Sequence, residues 1–221
     1  DGWPDLYVAN DFLSPDRLWK NNGDGTFTDV LPQAAPHTCW FSMGADQGDL
    51  NNDLLPDILI ADMAATTHYK SKTTMGAMGG DDLKRAVGGS PPQYMRNTCL
   101  IGTGTERFVE SAYLLGIAST DWTWSVKFAD LDLDGWQDIY FTNGMIRAMN
   151  HSDFVVKSGE MTGRFQWQFY KDRPKRPEKH RAYRNEHHLH FADVSESWGL
   201  GREAITYGCA YADFDRDGDL D

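Results

Sequence analysis

The chain is poor in cysteine, in positive charge and in long apolar runs. Its 221 residues include three cysteines, Cys39, Cys99 and Cys209, far apart and odd in number. They make neither a disulfide framework nor a CxxC metal site; buried thiols with at most one bridge are expected. Lys and Arg total 21 against 33 Asp and Glu, a formal net charge of −12. A phosphate backbone repels such a chain, so nucleic acid is not expected as a partner. No apolar run approaches the roughly 18 residues of a membrane helix, so direct membrane insertion is not expected. The sequence opens at Asp1 without a Met, a basic stretch or an apolar stretch, so no signal peptide is expected in it. Its 40% hydrophobic and 13% aromatic content excludes a disordered tail, and the length supports one to two domains with a real core.

The acidic residues are patterned. Asp130, Asp132, Asp134, Gly135 and Asp138 read D-x-D-x-D-G-x-x-D, and Asp213, Asp215, Asp217, Gly218 and Asp221 repeat it. Asp49, Asn51, Asp53 and Asp57 give another copy with Leu54 in place of glycine, and Asp1, Gly2 and Asp5 give the back half of one more. In chain order the loops are the first half-loop at Asp1, the second at Asp49, the third at Asp130 and the fourth at Asp213. Oxygens on alternate residues of a tight loop converge on one point, and a hard cation such as Ca²⁺ takes six to eight oxygens at about 2.3–2.6 Å. Such crowded carboxylates repel one another without a cation. An EF-hand does not fit, because its twelfth position is a bidentate Glu and here it is Ile60 or Phe141. The residues that follow, Asp57-Ile-Leu-Ile-Ala-Asp and Asp138-Ile-Tyr-Phe-Thr-Asn, read as buried strands rather than helices.

More than the loop recurs. The last aspartates fall at 5, 57, 138 and 221, spaced by 52, 81 and 83 residues. After each first strand comes a hairpin signal: Arg17 to Val30 around Asn-Asn-Gly-Asp-Gly, then Tyr94 to Glu110, then Tyr183 to Val194. Each unit then runs into an apolar strand feeding the next loop: Trp40 to Ala45, Trp124 to Ala129 and Tyr207 to Ala212. Four short strands per 50 residues or so is a propeller-blade signature. The predicted fold is all-β: a β-propeller fragment of about three four-stranded blades. The units span about 1–48, 49–129 and 130–212, with a further one starting at 213–221. Insertions over about 64–93 and 146–182 lengthen the second and third units, and such excursions on one face are where partners bind.

These residues resemble the FG-GAP/VCBS repeats, the calcium-loop β-propellers related to the integrin α-subunit headpiece. Asn-Asn-Gly-Asp-Gly-Thr-Phe27 with Asp1-Gly-Trp-Pro-Asp-Leu-Tyr-Val-Ala-Asn10 resembles the subset associated with ASPIC/UnbV domains, which includes cartilage acidic protein-like chains. The resemblance implies six or seven blades, so the remaining blades of the same chain are expected as neighbours. It also implies a non-catalytic binding or adhesion module at the cell surface or in extracellular or periplasmic space. Its ligand would be a protein or a glycan. The alternative is an accessory propeller of a secreted polysaccharide-degrading enzyme. The Ca²⁺ ligands implied are Asp49, Asn51, Asp53 and Asp57; Asp130, Asp132, Asp134 and Asp138; Asp213, Asp215, Asp217 and Asp221. The carbonyls of Leu55, Trp136 and Asp219 would complete them, and Asp1 and Asp5 keep half a loop. The second loop, without glycine and with Asn51, is expected to bind more weakly.

Other features read as structural. His187, His188 and His190 beside Glu186 occupy a hairpin turn, so a solvated turn is expected over a transition-metal site. Gly76-Ala-Met-Gly-Gly80 lacks the βαβ setting of a phosphate loop. Trp40, Trp122, Trp124, Trp136 and Trp198 recur near strand ends, which suggests packing between blades. Met75, Met78, Met145, Met149 and Met161 lie in or beside the insertions and are expected to pack within them. Paired carboxylates can hydrolyse glycosides, but a cation-bound Asp has a lowered pKa and cannot act as a general acid near neutrality.

Overall fold

A computed structural model describes residues 2–74, 80–153 and 170–221. Asp1, Met75, Met78, Met161, residues 76–79 of the glycine-rich stretch and residues 165–169 of the aromatic run lie outside them. The chain is mostly β. Strands β1 (Leu6–Val8), β2 (Arg17–Asn21) and β3 (Phe27–Asp29) form one antiparallel sheet in sequence order. A turn of helix, α1 (Leu31–Ala34), and a short strand β4 (Thr38–Cys39) follow. Next come β5 (Gly44–Gly48) and β6 (Asp57–Ala61), then the helices α2 (His68–Thr73) and α3 (Gly80–Val87) and the short β7 (Gln93–Tyr94). With β8 (Thr98–Gly102) and β9 (Phe108–Glu110), a four-stranded sheet of order β5-β6-β8-β9 is complete. Strands β10 (Thr123–Ala129), β11 (Asp138–Asn143), β13 (Arg181–Asn185) and β14 (Phe191–Asp193) form the third sheet, β10-β11-β13-β14, and β12 (Glu178–Lys179) and β15 (Glu203–Ala204) a separate pair. All pairs in these three sheets are antiparallel neighbours, such as Ile58 opposite Leu100 and Ile139 opposite Tyr183.

The sheets pack face to face, and β6 shows why its sequence is apolar without alternation. Ile58 and Ile60 join Leu18, Leu31 and Leu100 in a core between the first and second sheets. Leu59 and Ala61 point the other way, to Val126, Phe128, Ile139 and Phe141 between the second and third. A strand covered on both faces has no wet side to mark with polar residues. A third cluster of Trp40, Phe41, Met63, Ala86, Trp122 and Met145 draws α3 of the first insertion onto the ends of these sheets.

Two strands differ from expectation. The strand expected over Trp40–Ala45 is β5, Gly44–Gly48, because Trp40 and Phe41 fill the third cluster instead of extending the ladder. No strand forms over Tyr207–Ala212. Its counterparts β5 and β10 pair with strands starting at the last loop aspartate, Asp57 or Asp138. The equivalent aspartate here, Asp221, accepts from Phe214 N at 2.9 Å. The cysteines are free thiols, two of them buried. No helix among the described residues is long and apolar enough to cross a membrane.

The insertions clasp one another. Lys70 Nζ on α2 lies 2.8 Å from Asp121 Oδ2 and 2.5 Å from Glu178 Oε2 of β12. Arg176 bonds Glu178 at 2.7 Å and donates to Thr74 Oγ1 at 2.7 Å. Strand β12 pairs with β15, tying the second insertion to the segment after the third sheet.

Candidate metal centre

The second loop joins β5 to β6 and the third joins β10 to β11, and the fourth follows the same backbone path. The fourth position takes positive φ at Asn52 (+55°), Leu133 (+57°) and Arg216 (+67°). The sixth does so at Leu54 (+67°), Gly135 (+91°) and Gly218 (+100°). This path folds the first aspartate under the loop. Asp130 accepts from Asp134 N at 3.0 Å and Gly135 N at 2.9 Å, and Asp49 from Asp53 N at 3.1 Å and Leu54 N at 2.8 Å. Asp213 accepts likewise from Asp217 N at 3.2 Å and Gly218 N at 3.1 Å.

In the third loop, oxygens of Asp130, Asp132 and Asp138 lie within 4.8 Å of one another, and in the fourth so do those of Asp213, Asp215 and Asp221. None of these six is in an ion pair among the described residues. Burial pushes Asp138 up to about 6, and the charges of Asp132 and Asp134 push the same way, against N–H bonds from Asn185 and Leu131. Hard carboxylate oxygens converging with no ion-pair partner in contact fit a hard divalent cation. In the second loop the equivalent trio is Asp49, Asn51 and Asp57, so an amide replaces the middle carboxylate, and Asn51 Nδ2 donates to Asp53 Oδ2 at 2.9 Å.

The fifth-position aspartates stand apart from the trios. Asp134 accepts from Trp136 N at 2.9 Å, Asp53 from Leu55 N at 2.8 Å and Asp217 from Asp219 N at 3.2 Å. Leu55 and Trp136 are half-buried and Asp219 is exposed. Trp136 stacks on His187 with centroids 4.5 Å apart, and His187 Nε2 sits 3.7 Å from Asp134 Oδ2. The histidines do lie in the β13–β14 turn, with His187 and His188 at positive φ. Of the other tryptophans, Trp40 and Trp122 are buried, Trp124 meets Tyr207 edge-on at 4.9 Å, and Trp198 is half-buried.

The ninth-position aspartate is a clamp. One oxygen of Asp57 accepts from Leu50 N and the other from Gly102 N, both at 2.8 Å. Asp138 does the same with Leu131 N and Asn185 N, both at 2.9 Å. Asp5 accepts from Asn21 N at 2.8 Å. Asp57 and Asp138 thereby fix the loop to the end of the sheet's third strand, and Asp5 holds the end of β2.

Residues between the loops were not singled out by sequence. Gln137 Oε1 accepts from Asp49 N at 2.8 Å, and Asn52 Nδ2 donates to Gly135 O at 3.1 Å. Asn185 Nδ2 donates to Leu50 O at 2.8 Å and to Gln137 O at 3.1 Å. A signal was present for Asn185: Arg-x-x-x-Asn recurs at Arg17–Asn21 and Arg181–Asn185, the whole of β2 and β13.

This arrangement of half-loop, three-stranded meander and second acidic loop is what the family comparison recognises. The FG-GAP-like repeat matches residues 1–60. The matched stretch takes in the first sheet and the second loop, and the structure continues the same loop-and-meander plan beyond it. No curated protein matches the chain.

Proposed function

We propose that the chain is a calcium-braced, propeller-type binding module of extracellular, cell-surface or periplasmic space. Its partner would be a protein or glycan, and it would carry out no chemistry of its own. The observation that carries this reading is the convergence of three carboxylates at the same positions of the third and fourth loops, the third lying between the first two strands of a sheet. The FG-GAP-like match and the stacked four-stranded meanders support the propeller architecture. The ion would supply the positive charge that Asp130, Asp132 and Asp138 lack, and would hold the first two strands of a sheet at fixed separation. Asp132 and Asp134 would then be occupied by the cation and its loop rather than free to transfer protons. Calcium modules working outside cells bind at about 10⁻⁴–10⁻³ M, which at millimolar calcium gives about 1 kcal/mol per loop. Calorimetric titration of the full-length chain with CaCl₂ tests this: uptake is expected, reduced by one ion in Asp130→Ala. No uptake at millimolar calcium would overturn the reading.

A further inference from the structure

The second and third loops are joined by more than their shared core. Four hydrogen bonds cross between them or share a donor: Gln137 Oε1 with Asp49 N, Asn52 Nδ2 with Gly135 O, and Asn185 Nδ2 with both Leu50 O and Gln137 O. Gln137 immediately precedes Asp138, which closes the third trio, while its side chain holds the backbone of Asp49, which opens the second loop. Leu50, held by the Asn185 amide through its carbonyl, donates its own N–H to Asp57. The backbone leaves no room for slack. A Cβ on Gly48 would lie 2.1 Å from Gln137 Oε1, so the Gln137 side chain packs directly against the strand that enters the second loop.

We infer that Gln137, Asn52 and Asn185 couple the two loops, so that filling one with a divalent cation raises the affinity of the other. This rests on the calcium reading above. A cation that draws Asp130, Asp132 and Asp138 together fixes the backbone at Gln137 and Gly135. Those atoms in turn fix Asp49 and Asn52, so the second loop loses less freedom when it binds. The effect serves the loop that needs it, because the second has an amide in its trio and no glycine at its sixth position. Coupling is reciprocal: whatever the third loop does for the second, the second does for the third.

Terbium(III), a hard cation close to calcium in size, reads the third loop through emission sensitised by Trp136. Asp130→Ala in the full-length chain assigns that emission. Titrations in about 1 M KCl shrink the screening length to about 3 Å, so repulsion between neighbouring ions is suppressed. Asp49→Ala removes the carboxylate that opens the second loop's trio while keeping the backbone N–H that Gln137 Oε1 accepts from. It is expected to raise the terbium midpoint of the third loop about five-fold or more, the usual scale of such coupling. In a background of Gln137→Ala with Asn52→Ala, both outside the trios, the same change is expected to shift the midpoint less, with Asn185 alone left to couple the loops. An unshifted midpoint in the otherwise intact chain overturns the coupling while leaving metal binding in place. An equal shift in both backgrounds overturns the assignment to these residues. Absence of both sensitised emission and calorimetric uptake overturns the calcium reading and the coupling with it. Melting curves in calcium confirm that each variant is folded before it is compared.

Discussion

Leu54 takes φ of +67° where the third and fourth loops have Gly135 and Gly218. A left-handed backbone costs an L-residue about 1–2 kcal/mol, part of which glycine gives back as entropy of the unfolded chain. The Leu54 side chain is 91% exposed, so removing it sacrifices no packing. Leu54→Gly is therefore expected to stabilise the protein by about 0.5–1 kcal/mol in denaturant melts and to tighten calcium at the second loop. Asp62 is a different case, fully buried and accepting from Trp40 N at 2.9 Å, Phe41 N at 3.2 Å and Met63 N at 2.5 Å. Burial pushes its carboxyl up to about 8. The folded protein thus keeps a proton that the unfolded chain loses near pH 4, so stability from this group is full at pH 4 and falls as pH rises to about 8. Asp62→Asn keeps an acceptor oxygen and is expected to remove that slope, measured as the difference between wild-type and variant melts at pH 5 and 8.5. The aspartates of the loops were legible because alternate carboxylates have few other uses. Asp62 and Gln137 were not, because a single polar residue in or beside an apolar run has no spacing to mark it, and Asn185 was marked only by the Arg-x-x-x-Asn it shares with β2.

Among elements, the hairpins were readable from their turn residues, and β2–β3, β8–β9 and β13–β14 fall where Asn, Gly, Thr and His predict them. Their outer fastening was not. Arg17 pairs with Asp29 at 2.7 Å and Arg181 with Asp193 at 3.0 Å, at equivalent places in the first and third sheets, while Arg96 reaches Glu110 at 3.5 Å in the second. The acid also caps the turn that follows: Asp29 accepts from Leu31 N, Glu110 from Ala112 N and Asp193 from Ser195 N. Strand β5 shows the opposite failure. Its sequence, Gly-Ala-Asp-Gln-Gly, has weak strand character, yet a Cβ on Gly44 would lie 2.7 Å from Trp124 O. Close approach of two backbones selects small residues, and apolarity then marks the wrong segment. The clasp between the insertions makes its own prediction. Lys70→Met leaves Asp121 and Glu178, both nearly buried, without their shared cation. With Arg176 still on Glu178 and Arg181 4.0 Å from Asp121, it is expected to cost about 1–2 kcal/mol and to speed proteolysis within residues 64–93, read by limited digestion and mass spectrometry.

For the whole molecule, the periodic loops made the stacking of sheets legible, whereas the insertions were visible only as excess length. Their sequence shows no period, and what orders them is a charge cluster assembled from residues 51 and 108 positions apart. The first sheet has three strands, and a groove of about 580 Å³ lies beside β1, lined by Trp3, Tyr7, Ala45, Asp46 and Ile58. Three divalent ions in the complete acidic loops would halve the net charge of −12 to −6. The most direct test is the melting temperature of the full-length chain in millimolar CaCl₂ and in EDTA. Bracing by the ion predicts a higher melting temperature in calcium, a gap that narrows in Asp130→Ala. Identical melting temperatures in the two buffers would contradict it.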